Sequence, residues 1–79
     1  MTMTTELLGS KSCVYTQELR EWLEWTGRDF TEYDVDRDDT ALRRLRALTG
    51  GQTAIPVLLE DGQVVHVGWQ GRTCVVGSR

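Results

Sequence analysis

Cys13 is the residue whose type and position best suit chemistry. It follows a short apolar segment and a small-residue turn, and it directly precedes a segment with helical apolar spacing. At a helix N-terminus the backbone N–H groups are unpaired and the helix dipole is positive, which favours the nucleophilic thiolate. Lys11 adds a positive charge two residues away. The sequence therefore indicates a reactive thiol. The alternative is a buried cysteine that packs as a small apolar side chain.

Thr16 occupies the position at which a two-cysteine redox site, Cys-x-x-Cys, has its second cysteine. A threonine hydroxyl can donate or accept a hydrogen bond, but it cannot form a disulfide with Cys13. We therefore exclude a dithiol mechanism between these positions and assign Thr16 to the catalytic site as a hydrogen-bonding residue. Tyr15 is either a core aromatic or, as is usual at the start of a helix, close to the surface.

Pro56 is the only proline of the chain, and it opens an apolar run. A trans proline is allowed at the start of a strand. The alternative is a cis bond after Ile55, which would direct the Ile55 backbone toward an extended peptide or thiol substrate beside Cys13. Composition and spacing leave both forms open, because cis bonds occupy only about 5–6% of X–Pro sites.

The elements that must position these residues alternate between strand and helix. The predicted strands cover residues 5–8, 30–35, 57–60 and 64–67. One helix covers residues 14–26, with Leu19, Trp22, Leu23 and Thr26 at i, i+3, i+4 and i+7. The second begins at an N-cap on Asp38 or Asp39 and carries leucines on one side and a solvated arginine face on others: Leu42, Leu45, Leu48, Arg43, Arg44 and Arg46.

The order β-α-β-α-β-β predicts a mixed four-stranded sheet. A helical connection makes the first two strands parallel, with a right-handed crossover. The sequence Asp61-Gly62 predicts a tight hairpin between the last two strands, which are then antiparallel. Residues 68–79 are glycine-rich and suggest a turn followed by a stub of helix.

Composition bounds the class of protein. The chain has 79 residues, of which 39% are apolar and 27% charged, and we predict one globular domain over residues 1–79. Its three tryptophans are expected to add buried apolar area to a small core. The net charge of −3 gives no pull toward nucleic acid or an anionic membrane. Residues 1–5 lack a signal-peptide pattern and no run is long enough to cross a bilayer, so we expect the protein in the cytoplasm. We also expect a monomer. His66 and two cysteines have no recognised ligand spacing, and we predict no metal site.

The motifs together resemble the glutaredoxin family of the thioredoxin superfamily. They are the Cys13-x-Tyr15-x site opening a helix, the run Ala54-Ile55-Pro56-Val57, and a glycine, Gly68, near the hairpin end. The resemblance covers the chain from Leu7 to about Gly71, and the Cys-x-x-Thr site is similar to the monothiol branch. Together with Leu48-Thr49-Gly50-Gly51 and a terminal Gly-x-x-Gly-x-x-Cys, this site also resembles the small bacterial UXX-star group of thioredoxin-like proteins.

The resemblance implies a thioredoxin-like α/β fold, with the final helix short or absent, and a role for each matching residue. It implies that Cys13 is the nucleophile and that Ile55-Pro56 is a substrate clamp with a cis bond. Lys11 and Tyr15 match positions in the groove that binds the thiol cofactor. We add Gly68 and Trp69 to the substrate- and thiol-binding residues, although Trp69 could equally pack in the core.

Two departures from the glutaredoxin pattern bear on function. Glutaredoxins typically have Gly-Gly-x-Asp-Asp where this chain has Gly68-Trp69-Gln70-Gly71-Arg72, so the acidic pair that holds the glutathione amine is missing. The reductant is then glutathione or another low-molecular-weight thiol, with no permanently bound cofactor. The site also differs from the Cys-Gly-Phe-Ser signature of cluster-binding glutaredoxins, and we predict no iron–sulfur cluster.

Cys74 has two interpretations. One is a packing residue or an incidental surface thiol. The other is a resolving cysteine that closes a disulfide with Cys13, with Gly68, Gly71 and Gly77 permitting the chain to move. That bond requires Cα atoms roughly 4.4–6.8 Å apart, so the tail would have to fold back over the helix start.

The favoured function is a thiol–disulfide oxidoreductase with a monothiol-type site. Its substrate is a disulfide-containing protein or a small-molecule mixed disulfide, and a thiol is its reductant. The alternative is a thioredoxin-fold adaptor without turnover that docks a partner through a surface at Pro56 and Trp69.

Overall fold

The computed structural model describes residues 4–76. Gly77 and most of the 1–5 segment therefore lie outside the described residues. The elements in chain order are β1 (Thr5–Gly9), α1 (Val14–Trp25), β2 (Thr31–Asp34), α2 (Asp39–Leu48), β3 (Ala54–Ile55), β4 (Val57–Glu60), β5 (Gln63–Val67) and β6 (Cys74–Val75). All four predicted strands and both predicted helices are present, with ends that shift by one or two residues.

The main sheet has the strand order β2-β1-β4-β5. β1 and β2 are parallel, whereas the β1–β4 and β4–β5 pairs are antiparallel, so the predicted mixed four-stranded sheet is confirmed. Asp61 and Gly62 link β4 to β5 with φ angles of 53° and 81°. Two positive φ angles in a two-residue loop match the twist that an antiparallel hairpin requires.

The two helices cover opposite faces of the sheet, because side chains alternate along each strand. Leu7 and Leu58 pack with α1, in a cluster completed by Leu19 and Leu23. Their neighbours along the strands pack with α2, in a second cluster of buried residues: Leu8, Cys13, Val35, Ala41, Leu45, Ile55, Val57 and Leu59. Cys13 is therefore part of the cluster on the α2 side.

The core is aliphatic. The expected contribution of the tryptophans is wrong for Trp22 and Trp25, whereas Trp69 packs against the cluster on the α1 side. Trp25 is 85% exposed and Trp22 is 39% exposed, while Trp69 is only half-buried. On the predicted apolar face of α1, Leu19 and Leu23 are the buried members. Thr26 is the exposed C-cap residue. The helix is only 12 residues long, so its side of the sheet is filled by two leucines and the bulky rings remain at the margin.

Helix α2 begins where the sequence places its N-cap. The Asp38 carboxylate accepts hydrogen bonds from the backbone N–H groups of Thr40 and Ala41, at 3.0 and 3.1 Å. The expectation of a wholly solvated arginine face is wrong for Arg44, whose guanidinium donates two hydrogen bonds to Glu6 of β1, at 2.8 and 2.7 Å. This bidentate pair links α2 to β1.

The predicted helical stub after residue 68 is absent from the described part of the chain. Positive φ angles at Gly68, Gln70 and Gly71 reverse the chain instead, and a bridge pairs Trp69 with Arg72. Positive φ angles are incompatible with a right-handed helix. The returning segment forms β6, which pairs antiparallel with β3 in a separate two-stranded sheet.

Neither α1 nor α2 has the length and apolar character that a membrane-crossing helix needs, and these are the helices found within residues 4–76.

Candidate functional site

Cys13 is the N-cap residue of α1. Its backbone is extended, with φ −95° and ψ 117°, and its carbonyl accepts the first helical hydrogen bond, from the N–H of Gln17 at 3.1 Å. Its side chain makes no capping hydrogen bond. The sulfur therefore lies at the positive end of the helix dipole without a capping role, as the sequence predicts.

Cys13 and Cys74 are joined by a disulfide in the structure. Their Cα atoms are 6.1 Å apart, across a sequence separation of 61 residues. Cys74 is therefore bonded to Cys13 and is not an incidental free thiol, and it also packs against the cluster on the α2 side. Cys13 is 2% exposed and Cys74 is half-buried, so the bond closes over the start of α1.

The bond after Ile55 is cis, as the resemblance to glutaredoxins predicts. Ile55 of β3 lies opposite Cys74 of β6, and the Val76 N–H donates to the Thr53 carbonyl at 3.1 Å. A cis bond at this position predicts that the Ile55 backbone faces an extended substrate beside Cys13. In this structure the chain's own C-terminal segment lies along that backbone.

The side chains of Ile55 and Pro56 are fully buried, and the contacts of these residues with the C-terminal segment and with Gly68 are made by their backbone. The Pro56 carbonyl accepts a hydrogen bond from the Gly68 N–H at 2.6 Å. Gly68 has no room for a side chain, because an added Cβ would lie 2.6 Å from the Arg72 carbonyl oxygen. Of the two residues that the adaptor alternative names, Pro56 is fully buried and Trp69 is half-buried in this structure.

A cavity of 350 Å³ lies between α1 and the turn that precedes β6. It is lined by Tyr15, Glu18, Trp69, Gln70 and Arg72. Tyr15 is half-buried and packs against the α2-side cluster, so it combines the two roles considered for it. This cavity contains one carboxylate and one guanidinium within a few residues of the disulfide.

Trp69 also lines a second cavity, of 300 Å³, which is bounded by residues of α1, β4 and β5. Its ring lies 5.7 Å from the Trp22 ring, at an interplanar angle of 48°. His66 lines this second cavity and is exposed. Across residues 4–76, no group of three or more histidine, cysteine, aspartate or glutamate side chains is arranged to hold a metal ion.

Lys11 and Tyr15, which the resemblance assigns to one groove, line two different cavities. Lys11 is exposed and lines a separate cavity of 560 Å³ with Gln17, Arg20, Glu32 and Asp34. Arg20 donates to Glu32 at 2.7 Å, and this hydrogen bond raises the pKa of the guanidinium above its ordinary value. The Lys11 charge thus lines the same cavity as the Arg20–Glu32 ion pair.

Thr16 is fully buried and packs against the end of β1. Its hydroxyl accepts a hydrogen bond from the Ser10 N–H at 3.4 Å, and its side chain fills the space that a Cβ on Gly9 would need. The glycine is therefore required for α1 to approach β1. In the structure Thr16 contacts the turn before Cys13, and its contacts are those of a positioning residue.

A hydrogen-bond network behind Cys13 was missed in the sequence. The Ser10 hydroxyl donates to Asp36 and contacts the Ser12 hydroxyl at 2.9 Å, while the Ser12 N–H donates to the Ser10 hydroxyl at 3.2 Å. The network ties the turn before α1 to the loop after β2. The only signal was the pair of serines in the turn, because Asp36 lies 26 residues away.

Comparisons with known proteins agree with this architecture. No protein with curated function gives a significant sequence match. A mutant of the thioredoxin-like protein BC3987 is 27% identical, with a TM-score of 0.75 over 85% of this chain and 83% of that one. The glutaredoxin grx-1 from Archaeoglobus fulgidus is 18% identical, with a TM-score of 0.73 over 87% and 78% of the two chains.

Glutaredoxin 1 from Francisella tularensis, solved with cacodylate, is 16% identical, with a TM-score of 0.61 over 86% of this chain and 85% of that one. These last two likenesses show the thioredoxin-like fold. The sequence model of the glutaredoxin family matches residues 1–65, so the match ends before β6 and Cys74. Since it spans most of the 79 residues, the chain belongs to the glutaredoxin family.

Proposed function

We propose that this protein is a thiol–disulfide oxidoreductase in which Cys13 attacks the substrate and Cys74 completes the cycle. Membership in the glutaredoxin family supports thiol–disulfide chemistry in general. The observation that carries the specific proposal is the Cys13–Cys74 bond, because it puts a second thiol within reach of the nucleophile although Thr16 occupies the usual second position.

The cycle begins with the reduced protein. The Cys13 thiolate attacks one sulfur of the substrate disulfide, a mixed disulfide forms, and the other substrate sulfur leaves as a thiolate that takes up a proton. The Cys74 thiolate then attacks the Cys13 sulfur, which forms the internal disulfide and releases the second substrate thiol. Attack by a thiolate through a mixed disulfide is the general route of thiol–disulfide exchange.

An external thiol must return the protein to its reduced state. Two equivalents of a low-molecular-weight thiol reduce the Cys13–Cys74 bond and are oxidised to their own disulfide. The cavity lined by Tyr15, Glu18 and Arg72 suits a thiol with both an ammonium and a carboxylate, such as glutathione. Glu18 faces the ammonium in place of the acidic pair that the sequence lacks, and Arg72 faces the carboxylate.

Turnover of a small symmetrical disulfide, bis(2-hydroxyethyl) disulfide, with glutathione as the reductant tests this cycle. We expect Cys13→Ser to abolish the protein-dependent rate. We expect Cys74→Ser to retain the first attack but to need glutathione for release of the mixed disulfide. Full activity of Cys13→Ser would contradict the assignment of the nucleophile. An unchanged glutathione dependence in Cys74→Ser would show that the external-thiol route operates without Cys74.

A further inference from the structure

Side chains in the C-terminal segment, residues 74–76, point alternately toward the protein and toward solvent. Cys74 points inward and is bonded to Cys13, whereas Val75 is 73% exposed. Val76 turns inward again and packs against the cluster on the α2 side. Successive side chains of an extended chain point to opposite sides, so the cysteine and the second residue after it contact the protein.

The backbone contacts of the same segment are those of an added strand. Ala54 lies opposite Val75 and Ile55 opposite Cys74 in an antiparallel register, and the Val76 N–H donates to the Thr53 carbonyl. Such bonds accept almost any sequence, so the selectivity of strand addition comes from the pockets that receive alternate side chains.

We propose that β3 recognises substrates as extended peptides that contain a cysteine followed, two residues later, by an aliphatic residue. The segment Cys74–Val76 is then the chain's own copy of this ligand. The proposal rests on the proposed function and deepens it by naming the substrate class. It also means that substrate and β6 compete for one edge, because both need the backbone of Ala54 and Ile55.

The first chemical step follows from this register. A peptide cysteine opposite Ile55 presents its disulfide sulfur to Cys13, in the place that the Cys74 sulfur has in the oxidised protein. The Cys13–peptide bond forms as the peptide's original partner leaves as a thiolate. Closure of the Cys13–Cys74 bond then releases the peptide as a free thiol and refills the edge with β6.

The test uses the full chain with Cys74→Ser, which stops the reaction at the mixed disulfide. Three blocked peptides are each linked through their cysteine to 5-thio-2-nitrobenzoate, a chromophore whose thiolate leaves readily and is measured by absorbance. Their sequences are Thr-Cys-Val-Val, Thr-Cys-Val-Ser and Thr-Cys-Ser-Val. The free reagent, 5,5′-dithiobis(2-nitrobenzoate), is the peptide-free control.

We expect Thr-Cys-Val-Val and Thr-Cys-Ser-Val to react at equal rates, because the residue after the cysteine faces solvent. Thr-Cys-Val-Ser should react about tenfold more slowly, the factor that corresponds to about 1.4 kcal/mol of lost apolar contact in the transition state. Equal rates for all three peptides, with the free reagent also reacting, would overturn strand recognition and leave the oxidoreductase intact. No reaction with any of the four reagents would overturn the proposed function and this proposal with it.

Discussion

At the scale of single residues, Cys13 is subject to two opposing influences. Its N-cap position favours the thiolate, whereas a buried site favours the neutral thiol. Cys13 belongs to the cluster on the α2 side, and two residues of the segment to which it is bonded, Cys74 and Val76, pack against that cluster. When that bond is reduced and the segment moves away, the N-cap position is the influence that remains.

We therefore expect Cys13 of the reduced protein to be alkylated faster than Cys74 at about pH 6.5, where an ordinary thiol is mostly protonated. Iodoacetamide labelling followed by peptide mass spectrometry gives both rates in one sample. Each single cysteine-to-serine variant controls for disulfide formation during labelling. Equal rates, or a faster Cys74, would contradict the assignment of the nucleophile.

Glu18 and Arg72, the two charged side chains that line the 350 Å³ cavity, predict a preference for a reducing thiol that carries both an ammonium and a carboxylate. Arg72→Gln and Glu18→Gln should each raise KM for glutathione about threefold, the scale of an exposed ion pair, without changing kcat. The matched control is 2-mercaptoethanol, which has neither charge and whose KM should not move. A shift of equal size with both thiols would mean that these side chains do not contact the reductant.

At this scale the sequence indicates the residues with distinctive chemistry. Cys13 and Pro56 are identified by residue type and position, and Ile55 by its place before Pro56 in the glutaredoxin-like run. The sequence does not indicate Ser10 and Asp36, because their hydrogen bond joins loops that only the folded chain brings together. The resemblance to glutaredoxins assigned Lys11 and Tyr15 to one groove. In the structure Lys11 precedes α1 and lines the 560 Å³ cavity, whereas Tyr15 of α1 lines the 350 Å³ cavity.

At the scale of elements, β1 is held between two helices by contacts of different kinds. On one face α1 approaches closely where Gly9 meets Thr16. The Arg44–Glu6 pair joins β1 to α2. The hydrogen bond from Arg44 is the main reason that the pKa of Glu6 is held below its ordinary value of 4.5.

This lowered pKa makes the stability of the protein depend on pH in a defined direction. A depressed carboxyl pKa stabilises the folded state above the unfolded value of 4.5, and the contribution is lost as the pH falls through the folded value. Glu6→Gln should therefore lower the free energy of unfolding by about 1 kcal/mol near neutral pH, a figure reduced for the solvent exposure of Arg44.

Urea unfolding of Glu6→Gln and the parent at about pH 7 and about pH 3 measures this effect, and the difference should shrink at the lower value. Asp29→Asn, at an exposed carboxylate on the loop before β2, is the control and should stay close to the parent at both. A difference of the same size at both pH values would show that packing, and not the ion pair, is responsible.

The main helices and strands were predictable because each is marked in the sequence by the spacing of its apolar residues, by a helix cap or by a turn motif. Asp38 and the Asp61-Gly62 turn are the clearest cases. β3 and β6 have only two residues each, which is too short for a period to appear. Their pairing depends on the reversal at residues 68–71, and glycines in a sequence do not show where a chain will return.

At the scale of the whole molecule, the disulfide ties the end of the described chain to the start of the first helix. It closes a loop across a sequence separation of 61 residues. In the chain-entropy account a loop of this size stabilises the folded state by about 4 kcal/mol. This contribution is a large share of the free energy of unfolding of a native protein, which is about 5–15 kcal/mol.

We therefore expect reduction to lower the free energy of unfolding by about 4 kcal/mol. Urea unfolding of the oxidised protein, with and without a reductant, gives the difference. Cys74→Ser should resemble the reduced protein and should not respond to the reductant. Identical unfolding midpoints for the oxidised and reduced protein would show that the bond does not constrain the unfolded chain.

Whole-molecule features were also the hardest to anticipate. The fold class follows from the order of elements, and the family match agrees with it. The expectation that all three tryptophans help the core failed for Trp22 and Trp25, because two clusters of smaller, mainly aliphatic side chains already fill both sides of the sheet. Residue type alone does not tell which large side chains a small core excludes.

The most direct test of the central claim is an acid-quench time course of the reduced protein mixed with one equivalent of a small disulfide, followed by intact-mass and peptide analysis. We predict that an adduct appears first on Cys13 and then disappears as a monomer with a Cys13–Cys74 bond accumulates. In Cys74→Ser the reaction should stop at the adduct. A first adduct on Cys74, or an adduct on Cys13 that yields only intermolecular dimers, would contradict the account.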